Sequence, residues 1–340
     1  MIERIRPTLA AIWKRSPLGG SSLGQELTRR TGVVEDRVRA VVWAATTPLR
    51  RVEPVGHFLT WLSNVTKRAQ PLPPQSRKTF LPDPEATLLE AKSRRLVLPT
   101  SLDPEVSIIV PVFNQFAFTY GCLRSIAAHT DGYSYEVIIV DDHSTDATAT
   151  VLATVDGLRI VRNDKQLGFI GACNAGAAVA RGRYVLFLNN DTDVRDGWLR
   201  ELRRTFSDEP RAGLVGSKLV YPDGRLQEAG GIVWSNGMGW NVGRLADPDE
   251  PQFQYMRRVD YCSGACIMLP TKLFRALNGF DTHFAPAYYE DTDLAFRVTQ
   301  AGYETLYQPR SEIVHFEGMT SGTDLKVGIK KHQVVNEKKF

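Results

Sequence analysis

From Val106 onward, four apolar runs each empty into asparagine or aspartate: VSIIVPVFN (106–114), YEVIIVDD (135–142), LRIVRND (158–164) and RYVLFLNND (183–191). A run such as 185–188, apolar at every position, reads as a strand covered on both faces. Helical segments separate the four, and a fifth strand candidate, AGLVGSKLV (212–220), follows. Strand and helix in alternation predict a parallel, doubly wound α/β sheet. Ligands of such sheets bind beyond the strand carboxyl ends. Asn114, Asp141, Asp142, Asn163, Asp164, Asn190 and Asp191 are therefore expected along one rim.

At 340 residues and 43% apolar composition the chain can bury a sizeable core. Its four cysteines, Cys122, Cys173, Cys262 and Cys266, are too scattered for a disulfide framework and lack zinc-site spacing, so they read as core residues in a reducing cytosol. No stretch reaches about 18 uninterrupted apolar residues, and charges run through the first 15, so neither a membrane span nor an export signal is expected. The net charge of +4 hides an asymmetry: residues 1–80 hold 14 Lys/Arg against 5 Asp/Glu. Residues 1–100 read as a basic helical extension and linker, and 101–340 as the main domain. Amphipathic, Trp-bearing patches in the extension fit either an anionic lipid surface or docking on protein.

Several motifs in the main domain carry chemistry. In IIVDDHSTDAT (138–148), helix capping accounts for Ser144 or Asp146. Asp141 and Asp142 repel and desolvate one another at a buried strand end unless a donor group or a cation meets them, and a nucleobase N–H or ribose hydroxyl suits. The helix after LGFIGACNAG is rich in Gly and Ala, including Gly168, Gly171 and Gly176; either close packing or close ligand approach compensates for about 1 kcal/mol per glycine. Neither a dinucleotide fingerprint nor a P-loop is present. Asp191-x-Asp193 begins like a calcium loop, but Arg195, Asp196 and Leu202 fall where ligands and the glycine belong. A divalent ion shared between one or two carboxylates and substrate phosphates fits better. In APAYYEDTDLAF, Glu290, Asp291 and Asp293 precede a helix; its dipole favours acids there, and the alternative is a general base. Tyr288 and Tyr289 beside them suit a sugar wall. His315 ends an apolar strand.

VSIIVPVFN, VIIVDDHSTDAT, GFIGACNAGAAVARGRYVLFLNND, CSGACIML, GFDTHFAPAYYEDTDLAFRV and VHFEGMT, in this order, resemble the inverting glycosyltransferase family 2. Within it they resemble the rhamnosyltransferase-like members of bacterial surface polysaccharide synthesis. The resemblance covers about residues 105–337 and implies a GT-A fold, a Rossmann-like, mostly parallel sheet flanked by helices. It implies a donor-binding set of Pro111, Val112, Phe113, Asp142, Gly168, Asn190 and Gly264, with Asp142 facing a pyrimidine N–H. Asp191 matches the last acid of the family's Asp-x-Asp metal motif, whose first acid is here Asn189, and His315 and Asp193 join it as expected ligands of Mg²⁺ or Mn²⁺. Asp291 matches the catalytic base, with Glu290 its neighbour.

The resemblance further implies a nucleotide-sugar donor, with dTDP-rhamnose a candidate, and a glycan or lipid-linked acceptor; nucleic acid is not an expected partner. Residues 1–80 would then hold the enzyme at the cytoplasmic face of the inner membrane. Similar proteins continue past the terminal NEKKF, so a place in a larger polypeptide or assembly is expected. The competing readings are a sugar nucleotidyltransferase and a noncatalytic glycan or nucleotide-sugar binding module.

Overall fold

The computed structural model describes residues 79, 81–317 and 329–340. The expected basic extension, with its membrane contact, lies outside the described residues up to position 78. The described chain opens on α1 (Pro84–Ser93), where Asp83 accepts a hydrogen bond from the Ala86 N–H (2.8 Å) and proline sits at the first helical position. The two-residue strand β1 (Leu96–Val97) follows. Ala91 and Leu98 are buried in the main core, so this part of the expected linker packs with the domain.

Five expected strands are present: β2 (Val106–Val112), β3 (Tyr135–Asp141), β5 (Leu158–Arg162), β6 (Tyr184–Leu188) and β8 (Ala212–Val220). Between them run α2 (Phe116–His129), α3 (Thr148–Leu152), the short β4 (Val155–Asp156), α4 (Gly168–Val179), β7 (Thr192–Val194) and α5 (Trp198–Asp208). The pleat sends neighbouring residues to opposite faces, and in β2, β3, β6 and β8 both faces are covered, whereas the edge strand β5 leaves Ile160 exposed. Ile108 and Val110 join one core cluster with Leu123, Trp198 and Leu202, whereas Ile109 joins the other with Ile170 and Ala177. Burying each such side chain fully is worth about 1.5–3 kcal/mol. That explains strands apolar along their whole length. The four cysteines are buried and form no disulfide.

Beyond β8 lie β9 (Leu226–Glu228), β10 (Gly231–Val233), β11 (Gly239–Asn241), β12 (Arg257–Arg258) and β13 (Cys266–Pro270), then α6 (Thr271–Ala276), α7 (Glu290–Gln300), β14 (Glu304–His315) and α8 (Lys331–Glu337). The main sheet has the order β12-β14-β8-β13-β6-β2-β3-β5. The sheet departs from a purely parallel, doubly wound plan at its margins, where β12 and β7 pair antiparallel with β14 and β9 with β8, and at one central strand. β13 runs antiparallel to both β6 and β8, separating them. Since both its neighbours oppose it, β8 and its parallel partner β14 still point the same way as β5, β3, β2 and β6. Six strand carboxyl ends thus open at one rim, and the loop entering β13 reaches that rim too, because Cys266 pairs with Leu188.

The glycines of α4 answer to packing at one position clearly. A Cβ on Gly176 would lie 2.5 Å from Ile109 Cγ2 and 2.9 Å from Val140 Cγ2, both on the sheet beneath. Gly176→Ala is expected to destabilise the domain by about 1–3 kcal/mol through overpacking, despite alanine's roughly 1 kcal/mol helix advantage. Urea denaturation checks this, and an unchanged or raised midpoint would contradict the packing account.

Candidate active site

A cleft of about 380 Å³ opens at the strand carboxyl ends. Of the twelve side chains singled out from the sequence, eleven line it: Pro111, Val112, Phe113, Asp142, Gly168, Asn190, Asp191, Gly264, Glu290, Asp291 and His315. Asp193 does not. β6 ends at Leu188 and β7 starts at Thr192, so the chain turns between Asp191 and Asp193 rather than keeping one face. Asp193 pairs with Arg195 (3.3 Å) in a site whose burial pushes its carboxyl up. It stands apart from the expected metal ligands.

The rim carboxylates at the β3 end find partners within the protein. Asp141 accepts from the Ser144 N–H (2.8 Å) and pairs with Arg162 (3.1 Å). Asp142 Oδ1 accepts from Asn163 Nδ2 (2.7 Å) and the Leu167 N–H (2.8 Å), and Oδ2 from the Gly168 N–H (2.8 Å). Desolvation at this pair is therefore answered without a ligand, contrary to the sequence argument. Asp142 instead fixes the entry to α4, where Gly168 takes φ +75° and a Cβ would meet Pro286 at 2.6 Å. A carboxylate oxygen carries two acceptor sites, and Oδ2 has one protein donor, so it retains capacity toward the cleft. Asn114 accepts from the Thr145 and Asp146 N–H groups, and Asp164 is exposed, so neither belongs to the site.

At the β6 and β14 ends, His315 Nε2 lies 3.3 Å from Asp191 Oδ1 and 3.3 Å from Asn189 Nδ2. Gln227 fixes the ring. Its Nε2 donates to Glu317 (3.1 Å), which turns its Oε1 toward His315 Nδ1 (3.1 Å). Nδ1 then carries the hydrogen, and the Nε2 lone pair faces a carboxylate oxygen. Asn189 Nδ2 lies within donor reach of Nε2, and a metal cation would meet both Nε2 and the Asp191 oxygen. The Glu317, Gln227 and His315 chain has the form of the outer partners that orient metal-binding histidines. Among the described residues no three His, Cys, Asp or Glu side chains are grouped to hold an ion. Asp191 and His315 fit a cation that completes its coordination with phosphate oxygens and water.

The third part of the site is built at the loop entering β13. The Gly264 N–H donates to Asp291 Oδ2 (2.9 Å), and the preceding Ser263 N–H donates to Glu228 Oε1 (2.8 Å). Asp291 Oδ1 also accepts from the Thr292 N–H (2.7 Å) and hydroxyl (3.2 Å). Burial raises the Asp291 carboxyl, and these donors oppose the rise. Glu290 is raised well above the ordinary carboxylate range, by burial and by the charge of Asp291, and its Oε2 has no partner among the described residues. Asp293, by contrast, is bonded to Arg297 (2.7 Å) one turn on, as the helix-surface reading has it.

Tyr288 and Tyr289, both lining the cleft, hold left-handed backbone (φ +76° and +71°) just before α7. Such residues cost of order 1–3 kcal/mol and persist only under constraint. Asn336 of α8, fully buried, donates to the carbonyls of Phe284, Ala287 and Tyr288 and holds the turn.

The sequence reading missed Gln227, Glu228, Trp240, Arg244, Tyr261 and Lys330, which also line the cleft. Arg244 and Lys330 bracket Glu317 at 3.3 and 3.8 Å, and burial lowers the Lys330 ammonium. The only local signal was LQEAGG, where an acid follows a leucine into a very short strand.

Glu228 is 1% exposed, and burial, with the charges of Asp291 and Glu317, pushes its carboxyl up to about 8; the Ser263 N–H opposes this. The folded chain therefore keeps a proton that the unfolded chain releases above the ordinary carboxylate range. Stability from this group is full below that range and is lost as pH rises to about 8, at up to about 1.4 kcal/mol per pH unit. Glu228→Gln cannot titrate, so its melting temperature is expected to gain on that of the wild type steadily from pH 5 to 8. Parallel melting curves at all pH values would contradict this titration.

Comparison with known proteins follows the same lines. The chain is 30% identical over 239 residues to the O-antigen biosynthesis protein RfbC of Myxococcus xanthus, covering 68% of this chain but 19% of that protein. It is 26% identical over 211 residues to the N-acetylglucosaminyl-diphospho-decaprenol L-rhamnosyltransferase of Mycobacterium tuberculosis, covering 55% and 68%. The crystal structure of GalNAc-T7 with UDP, GalNAc and Mn²⁺ superposes with a TM-score of 0.53 at 17% identity over 72% of this chain and 56% of that one, a likeness of fold. The fold is GT-A. The model of glycosyl transferase family 2 matches residues 107–277, half of the sequence, and the chain belongs to that family.

Proposed function

We propose that this domain is an inverting, metal-dependent glycosyltransferase that moves a sugar from a nucleoside diphosphate to a glycan or lipid-linked acceptor of a cell-surface polysaccharide. The observation that carries the reading is the convergence of Asp142, Asp191 and Asp291, distant in the chain, on one cleft. Asp142, with Pro111, Val112 and Phe113, receives the base. Gly168 and Asn190 shape the donor site, and Gly264 borders it: a Cβ there would meet Phe169 only at 3.4 Å, so packing alone does not demand glycine. A relative named for L-rhamnosyl transfer supports rhamnose as the donor sugar, and one named for O-antigen biosynthesis supports a cell-surface polysaccharide as the product.

Asp291 takes the proton of an acceptor hydroxyl, and that oxygen attacks the anomeric carbon as the bond to the diphosphate breaks on the opposite face. One displacement inverts the configuration. Asp191 and His315 would hold a divalent cation, Mn²⁺ or Mg²⁺, which when bound neutralises diphosphate charge. Asp291→Asn is expected to lower transfer by at least about 10²-fold while leaving nucleoside diphosphate binding in place. Chelation should abolish wild-type transfer and added Mn²⁺ restore it. Undiminished transfer by the variant sinks the base assignment, release of pyrophosphate points to a nucleotidyltransferase, and donor binding without any turnover points to a binding module.

Residues 1–80, with their surplus of positive charge, hold the domain near an anionic membrane surface on the cytoplasmic side, where lipid-linked acceptors are presented. Among the described residues no helix is long and apolar enough to cross a membrane. The full chain should float with phosphatidylglycerol vesicles at low salt and be released as salt rises. Failure to float at any ionic strength removes this part of the proposal.

A further inference from the structure

Glu228 has no part in the chemistry described so far, yet it occupies the middle of the site. It is buried, it lines the cleft, its Oε1 accepts from Ser263, and its Oε2 has no partner among the described residues. An orphaned buried carboxyl oxygen is costly, and in a native protein it calls for a partner. Its position says which partner. On one side the adjacent residue, Gln227, orients His315 at the proposed diphosphate end. On the other side the dipeptide Ser263–Gly264 ties Glu228 directly to Asp291, one peptide N–H to each carboxyl. In a single displacement the transferred sugar must lie between the departing diphosphate and the base. Glu228 borders that interval.

We propose that Glu228 is a specificity residue that hydrogen-bonds a hydroxyl of the transferred sugar through Oε2. The inference rests on the donor class proposed above. A carboxyl in this place can donate when protonated and accept when ionised, so it suits a hydroxyl, which does both. A purely apolar wall would leave that hydroxyl unpaired, and sites built to bond a hydroxyl discriminate against sugars that lack it.

The test compares binding of nucleoside diphosphates with binding of their sugar esters, by calorimetry in Mn²⁺, using UDP, UDP-glucose, UDP-N-acetylglucosamine, dTDP and dTDP-rhamnose. For the sugar nucleotide that the wild type binds, Glu228→Leu is expected to weaken affinity about tenfold while leaving the matching nucleoside diphosphate unchanged. Glu228→Gln, which can still accept from Ser263 and donate to a hydroxyl, should stay within about threefold of the wild type. Should the leucine variant fail to fold, Glu228→Ala carries the same comparison. Equal weakening of both ligands assigns Glu228 a structural role and overturns the inference, as does no weakening of either, while the reading of the enzyme stands. A wild type that binds none of the five ligands overturns the donor class and this inference together.

Discussion

Peptide N–H groups are what let so many carboxyl groups stay buried at one rim. Asp141 rests on the amide of Ser144, Asp142 on those of Leu167 and Gly168, Glu228 on that of Ser263, and Asp291 on those of Gly264 and Thr292. Each amide belongs to a loop or helix start that follows or faces a strand end, where backbone donors have no ladder partner. The sheet direction therefore supplies both members of each pair, acids from the sequence and donors from the interruption of secondary structure. A rim so built is rigid before any ligand arrives. Preorganised donors and acceptors are the form in which a protein stabilises developing charge most effectively.

The antiparallel β13 is central to this. With six strands sharing one direction, loops at the rim would otherwise leave strand ends only. β13 alone among the central strands begins there, because it enters the sheet opposite Leu188 and runs the other way. Its entry loop thus lies across from the Asn189–Asp191 turn, with the Asn189 N–H donating to the Ala265 carbonyl (3.0 Å). The same reversal sets two successive amides between β9 and α7, joining Glu228 and Asp291 through one dipeptide.

What could be read from the sequence followed from burial. β2, β3 and β6 are covered on both faces, so their apolar runs were unambiguous and their ends fell within three residues of expectation. β13 is as apolar as they are, but nothing in CIMLP encodes direction; that depends on pairing with Leu188 and Val215, far away in the chain. Asp193 misled because Asp-x-Asp spacing places two acids on one face only if a strand continues through both. Here Thr192 bonds back to the Asn189 carbonyl (2.6 Å) and closes a turn. Asp142 was found for a reason that did not hold, since Asn163 and two amides already relieve its burial. Glu228 left almost no local trace because its environment comes from residues 35, 63 and 89 positions onward, at Ser263, Asp291 and Glu317.

The neighbours Glu290 and Asp291 show how one helix start can divide two roles. Both carboxyls are buried, and burial raises both. Asp291 has three donors to hold its negative charge, from Gly264 and Thr292, whereas Glu290 keeps an oxygen with none among the described residues and feels the charge of Asp291 besides. Two adjacent charges in this space repel, and the charge of Asp291 adds to burial in pushing the Glu290 carboxyl up, whereas at Asp291 the donors of Gly264 and Thr292 oppose the rise. The helix start favours negative charge at both positions, and only Asp291 has backbone donors from a second loop to receive it. On the proposed reading of the site, the better-solvated charge is that of Asp291, the residue assigned to accept the acceptor's proton.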